Sequence, residues 1–229
     1  MKTQKIVNTT WNQLRLLVFD LDGTLVDSKQ DLALSVNAMR QAMGLAPLPL
    51  DQIASYVGHG VHILVRRALG TFATDENIDK GLAFFLQYYR DHMLDNTAPY
   101  PGVSEALEAL RTHKLAVLTN KPVNFSREML LRLGFAPYFA FIYGGNSFAQ
   151  KKPDPMGLHK LMEDLQIPAG RTLMVGDSDT DVLTGRNAGV WTCGVTYGFG
   201  AHTLQQAPPD LLIDDLRELS HLVDGQQKP

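Results

Sequence analysis

Short, nearly continuous apolar runs recur along the chain, and each one ends at a small or polar residue. Three of them are LRLLVFD (residues 14–20), KLAVLTN (114–120) and TLMVGD (172–177). Runs of this length and uniformity are typical of strands that are covered on both faces of a sheet. Three more segments, YFAFIYGG, VWTCGVTYG and DLLIDD, predict further strands of the same sheet.

Helical patterns lie between these apolar runs. They include VSEALEALRTH (103–113), NFSREMLLRLG (124–134) and MGLHKLMEDLQI (156–167), and Gly134 stands where a helix C-cap is expected. A chain that alternates between buried strands and helices forms a parallel sheet with helices on its faces. The sequence therefore predicts an α/β fold with a Rossmann-like parallel sheet as its core.

A long stretch without buried-strand patterns interrupts this alternation, because about ninety residues separate Asp20 from the next strand at Leu115. It is mostly helical in pattern, as in SKQDLALSVNAMRQAMGL, GVHILVRRALG and NIDKGLAFFLQYYRDHML. We therefore expect a small all-helical domain, inserted after the first strand. Its predicted range is 27–96, and the α/β core takes 1–26 and 97–229.

Composition narrows the possible partners. The 229 residues include 21 basic and 24 acidic side chains, a net charge of −3, so there is no basic excess to attract nucleic acid. No segment approaches the ~20 apolar residues of a membrane span. The single cysteine, Cys193, excludes an intramolecular disulfide and is expected to be buried. We expect a cytoplasmic monomer or homodimer without nucleic-acid or membrane partners, and a frayed C-terminal DGQQKP.

Polar side chains follow directly after three of the predicted strands. These residues are Asp20, Thr119 and Asp177, and in an open parallel sheet the carboxyl ends of strands form the ligand-binding crevice. Two carboxylates ~4 Å apart repel by about 4 kcal/mol at an effective dielectric constant near 20, so they need a cation or a shared proton. Hard oxygen ligands without clustered His or Cys favour Mg²⁺ over Zn²⁺.

Three polar motifs accompany these strand ends, and each alone has an ordinary structural interpretation. FDLDGT (19–24) also fits a polar strand exit, KKPDP (151–155) a turn with solvated lysines, and GDSDTD (176–181) an N-cap cluster at a helix start. Taken one at a time, none of them decides between a structural and a chemical role. Their joint occurrence and their order along the chain are far more specific.

In this order, and together with LTN (118–120), these motifs resemble those of the haloacid dehalogenase superfamily over nearly the whole chain. The resemblance implies that Asp20 is a nucleophile that forms an aspartyl-phosphate, with Asp22 as the general acid and base. It also implies that Mg²⁺ is held by Asp20, the backbone carbonyl of Asp22 and Asp177. Asp181 is expected to orient neighbouring groups.

The same resemblance assigns the phosphoryl oxygens to four groups: the Thr119 hydroxyl, the Asn120 and Gly23 backbone N–H groups, and Lys152. The helical insert after FDLDGTLVDS also resembles the small cap domain of the superfamily's phosphatases, which implies hinges at Asp27 with Ser28 and within 96–101. In this predicted cap, two glycines flank His59 in the VGHG segment (57–60), which makes His59 a substrate-binding candidate. A plain interhelical turn explains the same segment equally well.

Within the superfamily, the chain resembles the bacterial phosphoglycolate phosphatase family through DGTLVDS, YVGHGVHILVRRALG, LTNKP and VGDSDTD. One departure is Asn146, where that family's YGGDS-like segment leads us to expect an acidic residue. The implied reaction is Mg²⁺-dependent hydrolysis of 2-phosphoglycolate, a small phosphorylated metabolite. The alternatives are a phosphosugar mutase, a phosphatase for sugar phosphates, nucleotides or pyrophosphate, and a phosphate-binding regulator without turnover.

Overall fold

The computed structural model describes residues 11–223, which contain eight strands. In chain order the strands are Leu16–Phe19 (β1), Val26–Asp27 (β2), Ala98–Pro99 (β3), Lys114–Leu118 (β4), Phe139–Tyr143 (β5), Thr172–Gly176 (β6), Trp191–Val195 (β7) and Leu211–Ile213 (β8). Six of them form a parallel sheet in the order β5-β4-β1-β6-β7-β8, so the predicted parallel sheet is confirmed.

The strand β1 lies at the centre of this sheet, between β4 and β6. All four of its residues are buried, and Phe19 is in register with Val117 on one side and Val175 on the other. The uniform apolar character of these three runs follows from that position, because helices cover both faces of the sheet and leave no face to solvent. The three polar strand ends named above therefore belong to neighbouring strands.

Nine α-helices accompany these strands within residues 11–223. They are Lys29–Ala42 (α1), Leu50–Ala54 (α2), Val61–Leu69 (α3), Asp75–His92 (α4), Val103–Ala109 (α5), Val123–Arg132 (α6), Met156–Leu165 (α7), Asp179–Ala188 (α8) and Arg217–Val223 (α9). The helix predicted for 103–113 ends as an α-helix at Ala109 and continues as a 3₁₀ turn over Leu110–Thr112. Gly134 follows α6 with a φ of 78°, as its predicted capping role requires.

The helices α1 to α4 occupy the stretch between β2 and β3. They pack on one another around buried apolar side chains such as Met39, Ile53 and Phe85, and α1 contacts α2, α3 and α4. The buried apolar residues of the long helix α4 lie along one of its faces. On that face the Phe85 and Tyr89 rings stack, with their centroids 5.5 Å apart. The predicted helical character of this segment is thus observed. The segment also contains the short helix α2, which lies outside the helical patterns quoted from the sequence.

The chain enters and leaves this helical segment at two adjacent points. The strands β2 and β3 pair antiparallel there, with Val26 opposite Pro99. Just beyond them, the buried Asp31 carboxylate accepts hydrogen bonds from the backbone N–H groups of Asn96 and Thr97 at 2.8–3.0 Å, and from both of their side chains. The two crossings are therefore tied together by one carboxylate at the start of α1.

Cys193 lies in β7 and is buried, as expected, and burial raises the pKa of its thiol far above the usual range. A thiol of this kind is an inert packing group. Across residues 11–223, none of the helices combines the length and the apolar character that a membrane crossing requires. The predicted fraying of DGQQKP lies outside the described residues.

Candidate active site

The carboxyl ends of β1, β4 and β6 form one edge of the sheet, and Asp20, Thr119 and Asp177 lie there, all buried. The register of the parallel strands is the reason. The Asp20 N–H donates to the carbonyl of Val175 at 2.9 Å, which extends the sheet by one more bond before the chain turns away. Three residues that are far apart in the sequence are thus brought to one place by strand pairing alone.

Asp181 completes an acidic cluster at this edge. The helix α8 starts directly after β6, and its first turn brings the Asp181 carboxylate back so that Asp20, Asp177 and Asp181 each place an oxygen within 4.8 Å of the others. Asp181 also caps α8, because its carboxylate accepts from the Ser178 N–H at 3.1 Å and hydroxyl at 2.7 Å. The capping interpretation of GDSDTD is therefore observed, and the same Asp181 carboxylate also belongs to the acidic cluster.

Lys152 supplies the cation of this cluster. Its ammonium lies 3.0 Å from Asp20 and 2.5 Å from Asp181, and its side chain is only 2% exposed. The backbone of Lys152 is held by Asn120, whose side-chain amide accepts from the Lys152 N–H and donates to the Lys152 carbonyl, both at 3.0 Å. Asn120 therefore fixes the lysine through its side chain, a role that the sequence did not predict.

One lysine does not balance three buried carboxylates, and the pKa values reflect this. Burial raises the pKa of Asp20 to about 6. Attraction to Lys152 lowers this pKa, and repulsion from Asp181 raises it further. Burial, followed by repulsion from Asp181 and Asp20, raises the pKa of Asp177 well above its usual range. Burial alone lowers the pKa of Lys152, but attraction to Asp181 and Asp20 outweighs it and the net pKa is raised. A further cation with a preference for oxygen fits this donor set.

Gly23 allows the Asp177 carboxylate to approach the FDLDGT turn. Its φ is 85°, and a Cβ atom at this position would lie 2.2 Å from the Oδ2 atom of Asp177. The other side of Asp177 is held by the Gly200 N–H, which donates to the same oxygen at 2.7 Å. The Gly23 N–H, predicted to bind the phosphoryl group, instead donates to the Val26 carbonyl at 2.9 Å, because the turn closes on itself.

Gly23→Ala is expected to weaken the binding of a divalent cation to the acidic cluster, because the methyl group displaces Asp177 and requires strained backbone. The measurement is a titration of the variant and the unchanged protein with Mg²⁺. Gly44→Ala is a matched control, because it carries the same backbone strain with open space around its Cβ. Normal metal affinity in the Gly23 variant would contradict the positioning of Asp177 by this glycine.

The Asp22 carboxylate faces a different set of partners. It accepts from the Ser28 hydroxyl at 2.6 Å and from the Lys121 ammonium at 3.0 and 3.1 Å. Lys121 in turn donates to the Tyr89 hydroxyl of α4 at 2.6 Å. Sequence reasoning missed Lys121 and Tyr89, although Lys121 directly follows LTN and a buried tyrosine needs a partner for its hydroxyl.

The predicted cap residue His59 is exposed and lines the rim of the cavity, with its Nδ1 atom 3.5 Å from the Arg67 guanidinium. The backbone of the VGHG segment makes the closer contact, since the Gly58 carbonyl accepts from the Asn120 amide at 2.8 Å. The Thr119 hydroxyl accepts from the Lys121 N–H at 3.3 Å at the floor of the same cavity. The roles predicted for His59 and Thr119 stay predictions.

A cavity of about 930 Å³, its open mouth included, lies between α1–α4 and this edge of the sheet. Its floor carries the Asp20, Asp22 and Asp177 carboxylates, whereas side chains such as Leu64, Phe85 and Phe125 form an apolar wall. Charged groups act more strongly in such a partly dry site than in water. The arrangement combines a buried carboxylate, a cation beside it and a second carboxylate close to both.

The sequence profile of the haloacid dehalogenase-like hydrolases matches residues 17–195, and the chain belongs to this family. It is similar to phosphoglycolate phosphatases of Neisseria meningitidis (40% identity, 96% of this chain and 98% of the relative) and of Vibrio parahaemolyticus (40%, 93% and 98%). A solved structure, described as a predicted phosphoglycolate phosphatase from Haemophilus somnus 129pt, is 32% identical. It has a TM-score of 0.87 and covers 90% of this chain and 96% of its own.

Within that family the chain is a phosphoric monoester hydrolase. Phosphatases of this family generally use a divalent metal ion, and the cluster of Asp20, Asp177 and Asp181 has the donor chemistry for one.

Proposed function

We propose that the protein is a Mg²⁺-dependent phosphatase that hydrolyses 2-phosphoglycolate to glycolate and phosphate through an aspartyl-phosphate on Asp20. The observation that carries this proposal is the position of the Asp20 carboxylate, which lies 3.0 Å from the Lys152 ammonium, within the acidic cluster and on the cavity floor. The substrate rests on the relatives of nearly the same length that are named phosphoglycolate phosphatase.

Asp20 is suited to attack phosphorus because one of its oxygens is already held. The Leu21 N–H donates to Oδ1 of Asp20 at 2.7 Å, and Lys152 approaches the same oxygen at 3.0 Å. The second oxygen is then directed by the fixed carboxylate plane toward a phosphoryl group in the cavity. A nearby cation counteracts the effect of burial and keeps the nucleophile ionised at neutral pH.

The Mg²⁺ ion is assigned to the Asp20 and Asp177 carboxylates and to the Asp22 backbone carbonyl. Bound there, it supplies positive charge that lowers the repulsion between an anionic substrate and the carboxylates. Asp181 is left to orient Lys152, because its carboxylate already serves the lysine and the Ser178 cap. The Gly200 N–H and the close approach of Gly23 hold Asp177 in place for the metal.

The protein groups then divide the phosphoryl transfer between them. The Thr119 hydroxyl, the Asn120 backbone N–H and Lys152 bind phosphoryl oxygens. As the Asp20 oxygen bonds to phosphorus, the ester P–O bond breaks and the leaving oxygen takes a proton from Asp22. A water molecule then gives a proton to Asp22 and attacks phosphorus, and the bond between phosphorus and the Asp20 oxygen breaks. Inorganic phosphate is released, Asp20 is again a carboxylate and Asp22 is again protonated.

Residues 27–96 are proposed to act as a cap on a core formed by 1–26 and 97–229. The Gly58–Asn120 hydrogen bond and the Tyr89–Lys121 contact fit a cap that closes over the sheet edge. Closure excludes bulk water from a reactive acyl phosphate. His59 at the rim is the remaining cap candidate for contacts to the substrate.

The test is phosphate release from a panel of esters with Mg²⁺ and with a chelator. The panel contains 2-phosphoglycolate, sugar phosphates, nucleotides and pyrophosphate, and a parallel assay with a bisphosphate activator detects isomerised sugar phosphate. Selective, Mg²⁺-dependent hydrolysis of 2-phosphoglycolate is the expected result. Equal turnover of the whole panel would contradict the substrate, sugar isomerisation would indicate a mutase, and turnover in chelator would contradict the metal.

Mg²⁺ affinity is expected to fall as the pH is lowered through about 6. The folded-state pKa of Asp20 is raised to about 6, so a proton occupies this ligand below that pH. The pKa of Asp177 also lies above its usual range, so protons compete with the metal there in the same direction. For each ligand that must lose a proton before it binds the metal, the Mg²⁺ affinity falls roughly tenfold per pH unit below the pKa of that ligand. Titration calorimetry from pH 7.5 to 5, in buffers of two ionisation enthalpies, measures affinity and proton release together. A constant affinity without proton release would contradict the assignment.

A further inference from the structure

Lys121 is a second buried cation at the edge of the sheet, and the acidic cluster does not use it. Its side chain is 4% exposed, and its ammonium bonds the Asp22 carboxylate at 3.0 and 3.1 Å and the Tyr89 hydroxyl at 2.6 Å. The ammonium also lies 4.5 Å from the centre of the Tyr89 ring. Lys152, by comparison, pairs with Asp20 and Asp181. The two lysines therefore serve separate carboxylates.

The contacts of Lys121 fix the orientation of the Asp22 carboxylate. An ammonium at nearly equal distance from both oxygens holds the plane of the carboxylate, while the Ser28 hydroxyl bonds Oδ1 from the other side. Proton transfer requires this precision, since the carboxylate must lie within hydrogen-bond reach of the leaving oxygen. The geometry of Lys121 is thus that of a group that orients the Asp22 carboxyl group toward a substrate in the cavity.

The other partner of Lys121 comes from the helical segment. Tyr89 belongs to α4, is 1% exposed and packs against Phe85 and Phe125, so its hydroxyl is held firmly above Lys121. Burial raises the pKa of Tyr89 to about 12, which keeps this hydroxyl protonated and neutral. The contact exists only while α4 lies against the loop after β4.

We propose that Lys121 is a positioning residue that aims Asp22 at the leaving group, and that Tyr89 makes this aim depend on closure of the cap. The proposal rests on the proposed function, in which Asp22 is the general acid and base. Lys121 acts through Asp22 and does not touch the substrate. An open cap removes Tyr89 from Lys121 and leaves the acid less well oriented, so proton transfer is reserved for the closed state.

The test uses the dependence on the leaving group. In Lys121→Met, transfer of phosphate from 2-phosphoglycolate to Asp20 is expected to slow by about 10²-fold, the lower range for loss of a general acid, because an alkoxide leaves poorly without a proton. Transfer from p-nitrophenyl phosphate is expected to stay within about threefold, since nitrophenolate leaves without one. Hydrolysis of the phosphoenzyme still lacks its base, so rapid mixing is expected to show a burst of one nitrophenolate per enzyme before a slow steady state.

A double-mutant cycle separates action through Asp22 from other roles. If Lys121 works through Asp22, Lys121→Met causes no further loss of kcat in an Asp22→Asn background. Tyr89→Phe is expected to reproduce the same leaving-group pattern with a smaller loss. Lys114→Met, at an exposed lysine at the start of β4, the strand that leads to Lys121, is the matched control, and thermal unfolding of each variant verifies the fold.

Three results would overturn the proposal. These are equal losses on both esters without a burst, additive losses in the cycle, and a raised KM for 2-phosphoglycolate with unchanged kcat, which would make Lys121 a ligand for the substrate carboxylate. A wild-type enzyme that prefers another alkyl phosphate would remove the substrate proposal alone, because the same comparison then runs with that ester. Wild-type protein inactive on every ester would remove both.

Discussion

Asp20→Asn is expected to abolish phosphate release from every ester, with a loss of about 10⁴-fold or more, the scale at which removal of a nucleophile is felt. An amide nitrogen or oxygen in this position does not form the acyl phosphate on which both steps depend. The measurement is a steady-state assay combined with acid quenching, which detects the phosphoenzyme in the wild type. Neither turnover nor phosphoenzyme is expected in the variant.

The fold of this variant is expected to persist. The Asn side chain keeps an oxygen for the Leu21 N–H, and Lys152 retains Asp181 as its partner at 2.5 Å. One charge fewer also reduces repulsion inside the cluster, so the midpoint of thermal unfolding without metal is expected not to fall. Asp91→Asn, at an exposed position on α4, is the matched control. Substantial turnover in pure Asp20→Asn protein would remove Asp20 as the nucleophile.

The sheet was predictable because burial on both faces leaves a clear record in the sequence. The apolar runs that end at Asp20, Asn120 and Asp177 identify β1, β4 and β6, and their polar ends identify the edge that carries the site. The pairing of β2 with β3 was not predictable, because two-residue strands carry no periodicity. The Asp31 carboxylate that joins the crossings at Asn96 was missed for a related reason, since its partners lie far away in the chain.

The acidic cluster was easier to predict than the surroundings of Asp22. Asp20 and Asp177 stand at strand ends and Asp181 one helical turn later, so local geometry brings them together. The bond from Lys121 to Asp22 depends on how α4 packs over the sheet, which no local pattern records. Cavity walls are equally non-local, and this is why the cap contacts that select the substrate could not be derived from the sequence.

The KKPDP segment shows how burial separates two identical side chains. Sequence reasoning alone gave solvated lysines and a site cation as competing interpretations, and the structure assigns one to each residue. Lys151 is exposed, whereas the Lys152 ammonium lies between the Asp20 and Asp181 carboxylates. Asn120 holds the backbone of Lys152, since its side-chain amide accepts from the Lys152 N–H and donates to the Lys152 carbonyl.

Lys152→Met is therefore expected to affect stability and activity together. Removing the cation leaves buried carboxylates without their partner, which costs about 3–5 kcal/mol when one half of a buried ion pair is lost. Activity is expected to fall by about 10³-fold, since a group that binds the phosphoryl oxygens in the transition state is lost as well. Denaturant unfolding measures the first effect, and phosphate release measures the second.

Mg²⁺ distinguishes the two contributions of Lys152. A bound divalent cation neutralises the carboxylates that the lysine no longer serves, so the metal is expected to stabilise the variant more than the wild type, by linkage. Activity is not restored, because the metal does not replace the ammonium beside the phosphoryl oxygens. Lys151→Met, one residue earlier, is expected to change neither quantity. Equal stabilisation of variant and wild type by Mg²⁺ would mean that Lys152 and the metal do not share these carboxylates.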